Sequence, residues 1–386
     1  MTASSSAAFR FVLMIGIVSL FADFVYEGSR SITGPYLAQL GASGTIVGVV
    51  TGLGELLGYG LRLVSGRLAE RTGKFWPITI LGYAIQMASV PLLALAGSWQ
   101  VAALLIVAER IGKATRNPPR NVMLSHAGNV IGQGWVFGLH EALDQAGAMI
   151  GPLSVAAVLA HQGDYKTAFV LLLIPALMTL ALVGVARWIY PRPGSLEAHH
   201  PDLHTVSLPR AFWIYLAGAA LVAAGFPDFS LMSFHFERTG AVPPTWIPIF
   251  YAIAMGTSGL GSLVFGALFD RKGIAILIPL TLVTAVFVPL AFLGGFAAAL
   301  IGSALWGMGM GVHESIIPAA VAGMVPLERR ASAYGLFTAA YGISWFLGSA
   351  VIGMLYDISL PGLIGFSIAA GLAAIPFFIL LRRQRA

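Results

Sequence analysis

The chain has 386 residues, 58% of them hydrophobic and 10% charged, against about 25% charged in an ordinary soluble domain. That balance excludes a water-soluble fold, and at about 20 residues per crossing a dozen crossings leave only short loops. With no cysteine there are no disulfides, thiolate metal sites or cysteine nucleophiles, and the net charge of +6 is informative through its distribution.

Met1 to Arg10 is short and polar, and the apolar run behind it is too long for a signal-peptide core, so it reads as a retained first span. Apolar runs follow in order at 10–33, 44–66, 75–96, 99–115, 132–160 and 164–190, and again at 210–236, 244–268, 274–294, 296–318, 331–356 and 360–382. The predicted fold is an all-α membrane protein of twelve transmembrane helices in two pseudo-symmetric six-helix bundles, 1–190 and 210–386. Residues 191–209 link them, and Glu197, His199, His200 and His204 there read as a solvated connection rather than a metal site.

With both termini inside, seventeen of the 22 Lys and Arg fall on the cytoplasmic side, Lys166 and Arg238 fall opposite, and Arg30, Arg62 and Arg110 lie within apolar runs. The positive-inside rule therefore predicts a multi-pass protein, placed in a bacterial inner membrane, with cytoplasmic termini. The seventeen include Lys113 and a basic loop, Arg116-Asn117-Pro118-Pro119-Arg120, expected to face anionic lipid headgroups and not nucleic acid.

The halves repeat. Gly66-Arg67-Leu68-Ala69-Glu70-Arg71-Thr72-Gly73-Lys74 follows the second span, and Gly266-Ala267-Leu268-Phe269-Asp270-Arg271-Lys272-Gly273 follows the eighth, while Asp23 and Asp228 occupy matching places in the first and seventh. Such duplication places a substrate path near the midplane between two parallel halves. The loop resembles that of the major facilitator superfamily, with Glu70 for the usual aspartate. The fifth span adds Gly138, Gly147 and Gly151-Pro152, which resembles the motif of that superfamily's drug and proton antiporters, with Val155-Ala156 in place of two glycines. The resemblance implies proton-coupled export by alternating access. An acid beside arginines at helix ends can bond neighbouring helices in one conformation and release them in another, so Gly66, Glu70, Arg71, Gly73, Asp270 and Arg271 are expected to form a conformational latch.

Ionisable groups inside spans are functional candidates by default. The acids are Asp23, Glu27, Glu55, Glu109, Glu141, Asp144, Asp228 and Glu314, eight against the three cations Arg30, Arg62 and Arg110. The surplus of five negative charges points to protonated carboxyls or a cationic ligand. Asp23, Glu27 and Arg30 share a helix face. Adjacent Glu109 and Arg110 are expected to point to different sectors, with Arg110 either coupling or tying helices through Glu27 or Asp23. His140 and Asp144, four apart, could relay protons or ligate a metal, and His313 with Glu314 sits among glycines. No phosphate loop or nucleophile elbow is present, so an enzyme is not expected. The expected function is proton-coupled export of a small cationic or amphipathic compound by a monomer with no cofactor or bound metal. Divalent-metal efflux through His140, Asp144, His313 and Glu314, a lipid flippase, and an uptake symporter are the alternatives.

Overall fold

The computed structural model describes residues 3–162, 164–191, 208–322, 324–325 and 330–385. Among the described residues are fifteen α-helices and no strand, and they account for all twelve expected crossings. The first five are α1 (Ala3–Gln39), α2 (Gly44–Thr72), α3 (Phe75–Leu92, continued by a 3-10 turn), α4 (Trp99–Ile131) and α5 (Gln133–Gln162). The sixth is split into α6 (Tyr165–Leu171) and α7 (Leu173–Ile189), and the seventh into α8 (Arg210–Ala224) and α9 (Phe229–Thr239). Then come α10 (Ile247–Lys272), a ninth crossing split into α11 (Leu277–Ala285) and α12 (Phe287–Leu293), α13 (Phe296–Ala322), α14 (Arg330–Ile358) and α15 (Leu360–Arg385).

Proline explains the three splits. It cannot donate to the carbonyl four residues earlier, and its ring crowds that carbonyl. Pro175 stands four beyond Leu171, Pro227 four beyond Ala223 and Pro289 four beyond Ala285, at or beside the last residues of α6, α8 and α11. The interior of α4 tolerates Pro118 and Pro119 for an identifiable reason. Pro118 leaves the carbonyl of Ala114 without its helical donor, and the hydroxyl of Ser65 on α2 donates to that oxygen instead at 2.9 Å.

The extent of α4 corrects the sequence reading. Residues 116–120 are not a loop: the helix continues to Ile131, with Arg116 fully buried and Arg120 nearly so. His126 and Ser125 likewise lie on α4, His126 buried edge-on to Phe75. The seventeen-to-two cation asymmetry becomes fourteen to two when Lys113, Arg116 and Arg120, which lie on helix α4 and not in a loop, are left out of the loop cations. The linker histidines His199, His200 and His204 lie outside the described residues.

The chain sorts into two compact units, Met1–Ile32 with Leu57–His199, and Thr33–Leu56 with His200–Ala386. The second unit thus takes in the end of α1 and the first half of α2, which chain order groups with the first six crossings. In the first unit, Gly82 and Gly112 bring the backbones of α3 and α4 together: a Cβ on Gly82 would lie 2.6 Å from the Arg116 nitrogen. In the second unit, a Cβ on Gly307 would lie 2.0 Å from the Ala254 carbonyl, so α10 and α13 pack at similar closeness. Its core is aromatic, with Trp306, Trp345, Phe226 and Phe229 buried against one another.

Candidate functional site

Charged and polar residues of α1, α3, α4 and α5 in the first unit form one largely buried layer. Glu109, Lys113, Arg116 and Arg120 are spaced by four, three and four residues, which puts them along one face of α4. Arg116 is the hub. Its Nη2 reaches Asp23 Oδ1 of α1 at 3.2 Å, its Nη1 donates to the Tyr83 hydroxyl at 3.1 Å, and its Nε donates to Gln86 Oε1 at 2.6 Å. Gln86 in turn donates through Nε2 to Glu109 Oε1 at 2.7 Å. The close α3–α4 approach at Gly82 and Gly112 is what brings Gln86 within reach of both.

Glu109 and Arg110 do not diverge as adjacent helix positions suggested. Arg110 Nε lies 3.7 Å from Glu109 Oε2, and both side chains are buried. Arg110 Nη1 also donates to the Tyr26 hydroxyl, while Asp23 takes Arg116, rather than Arg110, as its partner. Glu27 Oε1 sits 4.0 Å from the Lys113 ammonium, and Arg30 Nη1 lies 3.4 Å from the Tyr26 hydroxyl. Arg120 donates to Ser19 Oγ at 2.9 Å and to Asn121 Oδ1.

Charge arithmetic changes accordingly. The first six crossings carry six acids, Asp23, Glu27, Glu55, Glu109, Glu141 and Asp144, and six cations, Arg30, Arg62, Arg110, Lys113, Arg116 and Arg120. Counting Lys113, Arg116 and Arg120 of α4 with the spans cuts the surplus over the whole chain from five negative charges to two, Asp228 and Glu314 of the second half. Buried charges persist when paired and hydrogen-bonded, and most of these are.

On α5, His140 Nε2 faces Asp144 Oδ2 at 3.5 Å. His140 is 4% exposed, yet neither ring nitrogen has a hydrogen-bond partner, and Asp144 Oδ1 and Gln145 Oε1 are likewise buried without one. Asp144 lies in electrostatic range of Asp23, Arg116, Arg120 and Glu141. Glu141 itself is exposed at the surface of the first unit. This corner of the layer has proton-binding atoms to spare.

The antiporter-like glycines divide in two. Gly147 and Gly151 of α5 lie against α1, where a Cβ would stand 2.2 Å from the carbonyls of Leu20 and Phe24 respectively, whereas Gly138 has nothing within 4 Å. Pro152 is buried within α5. Gly147→Ala is therefore expected to lower stability by about 1–3 kcal/mol through overpacking. Gly138→Ala should cost nothing, and melting of the two purified variants separates the outcomes.

In the second unit, Asp228 does not stand as a free carboxylate in a kinked helix: it caps α9, accepting from the Ser230 amide at 2.8 Å. His313 is buried on α13, hydrogen-bonded to the Tyr341 hydroxyl, tilted against the Phe226 ring and edge-on to Trp345. The side chain of Glu314 is outside the described residues. Glu55 is buried on α2 within this unit. Among the described residues no group of three or more His, Asp or Glu is placed to hold a metal ion. Glu70, Arg71, Asp270 and Arg271 are exposed, and Gly73 takes the left-handed conformation with φ of 65°, which suits glycine at a helix end. Gly66 packs against Pro118.

Sequence reading missed Tyr26, Tyr83, Gln86 and Ser65, neutral residues whose importance comes from partners on other helices. It also missed Asp357 at the end of α14, which accepts from the Gly44 amide at 2.9 Å, the Thr45 amide at 2.8 Å and the Thr45 hydroxyl at 2.7 Å, with Arg238 3.9 Å away.

The model of the Major Facilitator Superfamily matches residues 15–349. The chain belongs to that superfamily. It is a multi-pass membrane transporter and not an enzyme. An uncharacterized protein of Mycobacterium tuberculosis is 44% identical, over 100% of this chain and 96% of its own. The multidrug resistance protein MdtH of Proteus mirabilis is 30% identical over 37% of this chain and 35% of its own. Among solved structures, the nucleoside transporter NupG superposes with a TM-score of 0.75 at 15% identity, over 95% of this chain and 99% of that one. A bacterial homologue of the human lysosomal transporter Spinster, inward-facing and occupied, gives 0.72 at 15% identity, over 97% of each. These structural likenesses speak for the superfamily fold, with its twelve helices, and not for cargo.

Proposed function

We propose that this superfamily member is a proton-coupled exporter of a small amphipathic compound, working as a monomer by alternating access of bundles 1–190 and 210–386. The partial likeness to MdtH supports the export reading. The observation that carries proton coupling is the His140–Asp144 pair, buried with unpartnered polar atoms next to the Asp23–Arg116 ion pair.

A proton arriving at Asp144 removes a negative charge facing Arg116 and Arg120, and the attraction holding α5 to the α1–α4 layer weakens. His140, 3.5 Å away, is placed to pass that proton on. The charge balance of the layer removes the argument for an obligatorily cationic cargo. The cytoplasmic orientation of both termini rests on the fourteen-to-two cation asymmetry. Exposed Glu70, Arg71, Asp270 and Arg271 are the proposed latch, awaiting partners in the alternate conformation.

The test uses proteoliposomes holding an acidic lumen and a pH-sensitive dye, with ethidium and benzoate as trial cargoes. Wild type is expected to release lumenal protons when a cargo is added, and Asp144→Asn to lose most of that release while still binding the cargo. Equal proton release by the variant would show that Asp144 is not the coupling group.

A further inference from the structure

Three cations converge on one tyrosine in the first unit. The Lys113 ammonium lies 3.4 Å from the centroid of the Tyr26 ring, the Arg110 guanidinium carbon 5.0 Å and the Arg30 guanidinium carbon 6.0 Å. Arg110 and Arg30 also direct Nη1 at the Tyr26 hydroxyl. The layer is balanced as a whole but polarised within. Around Tyr26, Arg30, Arg110 and Lys113 stand against Glu27 and Glu109, while around α5 the acids Asp23, Glu141 and Asp144 stand against Arg116 and Arg120.

Lys113 differs from the other two. It carries three N–H donors, yet its ammonium has no hydrogen-bond acceptor among the described residues. Its contacts are the ring face of Tyr26 and a Glu27 oxygen at 4.0 Å, beyond hydrogen-bonding distance. An ammonium held within the protein only by a ring face and a distant carboxylate, on a side chain 19% exposed, is open to approach by an anion. What is missing is a compact acceptor with several oxygens.

We propose that Lys113, Arg30 and Arg110 form an oxyanion-binding site above Tyr26, so that the transported compound is an organic anion bearing a carboxylate or phosphate beside an apolar body. The oxyanion takes donors from the Lys113 ammonium in place of the distant Glu27 contact, in charge-assisted hydrogen bonds. The proposal rests on the transporter reading for its biological sense. Its test is equilibrium binding without a gradient, so it can fail while proton coupling stands, and the reverse.

Purified full-length protein is titrated with benzoate, phenyl phosphate, benzamide and benzamidine, a set of similar ring shape and different charge, and binding is read as thermal stabilisation. The expected result is binding of benzoate or phenyl phosphate at least about tenfold tighter than of benzamide or benzamidine, the equivalent of one charge-assisted bond. Lys113→Gln should lose that preference and Lys113→Arg retain it. Should Lys113→Gln fail to fold, Glu27→Gln decides: removing the competing carboxylate is expected to tighten the better anion severalfold. Benzoate tighter than phenyl phosphate assigns a carboxylate cargo, and the reverse order a phosphate. Anion binding no tighter than that of benzamide or benzamidine, its absence included, overturns the proposal. So does an anion affinity unchanged in Lys113→Gln, or one unchanged or weakened in Glu27→Gln.

Discussion

Arg116→Met is expected to be the most damaging single substitution in the chain. Arg116 is fully buried and serves Asp23, Tyr83 and Gln86 at once. Removing it strands the Asp23 carboxylate without its partner, and breaking one side of a buried pair costs about 3–5 kcal/mol. Gln86 loses its donor too, and Glu109 then hangs on a less constrained amide. Melting of the purified variant should fall steeply, or folded protein should be lost altogether. The companion variant is Asp23→Leu with Arg116→Met, which removes both charges and should recover much of the loss, since neutral replacement of an entire buried pair is tolerated. A single variant as stable as wild type would mean that the ion pair is dispensable to the fold.

Asp357→Ala should have an effect confined to one place. The carboxylate accepts three bonds from the first turn of α2, two from backbone amides that have no helical acceptor of their own. Losing such a cap costs about 1–2 kcal/mol. Amide exchange at Gly44 and Thr45 is then expected to accelerate by about 5–30-fold, with exchange in α3 and α4 unchanged. Asp357→Asn keeps an acceptor and should fall between the two. Uniform acceleration across the chain would point to global destabilisation instead of uncapping.

The crossings were legible because apolar length is a strong signal. The fourth crossing was misread for the same reason. Hydropathy counts Lys113, Arg116 and Arg120 as residues seeking water, whether or not a carboxylate and an amide wait for them inside. Their helical spacing with Glu109 carried the right answer, and Pro118-Pro119 carried the misleading one, since the donor that replaces the amide missing at Pro118 is the Ser65 hydroxyl of another helix. Asp23 was legible as important, but its partner was not, because Arg116 lies 93 residues away in sequence. The cap on α2 spans 313 residues and left no local trace. Asp228 shows the opposite failure, a carboxylate whose position suggested chemistry and whose bond to Ser230 makes it a helix cap.

The split seventh crossing bears on how the chain is put together during synthesis. Helix α8 has 15 residues, about 22 Å at 1.5 Å per residue, and is too short for a hydrocarbon core of about 30 Å; α9 is shorter. Neither can be threaded into the bilayer as a finished helix, so the 210–239 run must enter as one piece with its middle open. The carbonyl of Pro227 at that opening receives its donor from Trp306 Nε1 at 2.9 Å, and Trp306 leaves the ribosome 79 residues later. For that interval of translation the seventh crossing holds an exposed polar oxygen that lipid cannot satisfy. The arrival of the tenth crossing closes it, so the seventh crossing is completed only when the tenth has packed against it.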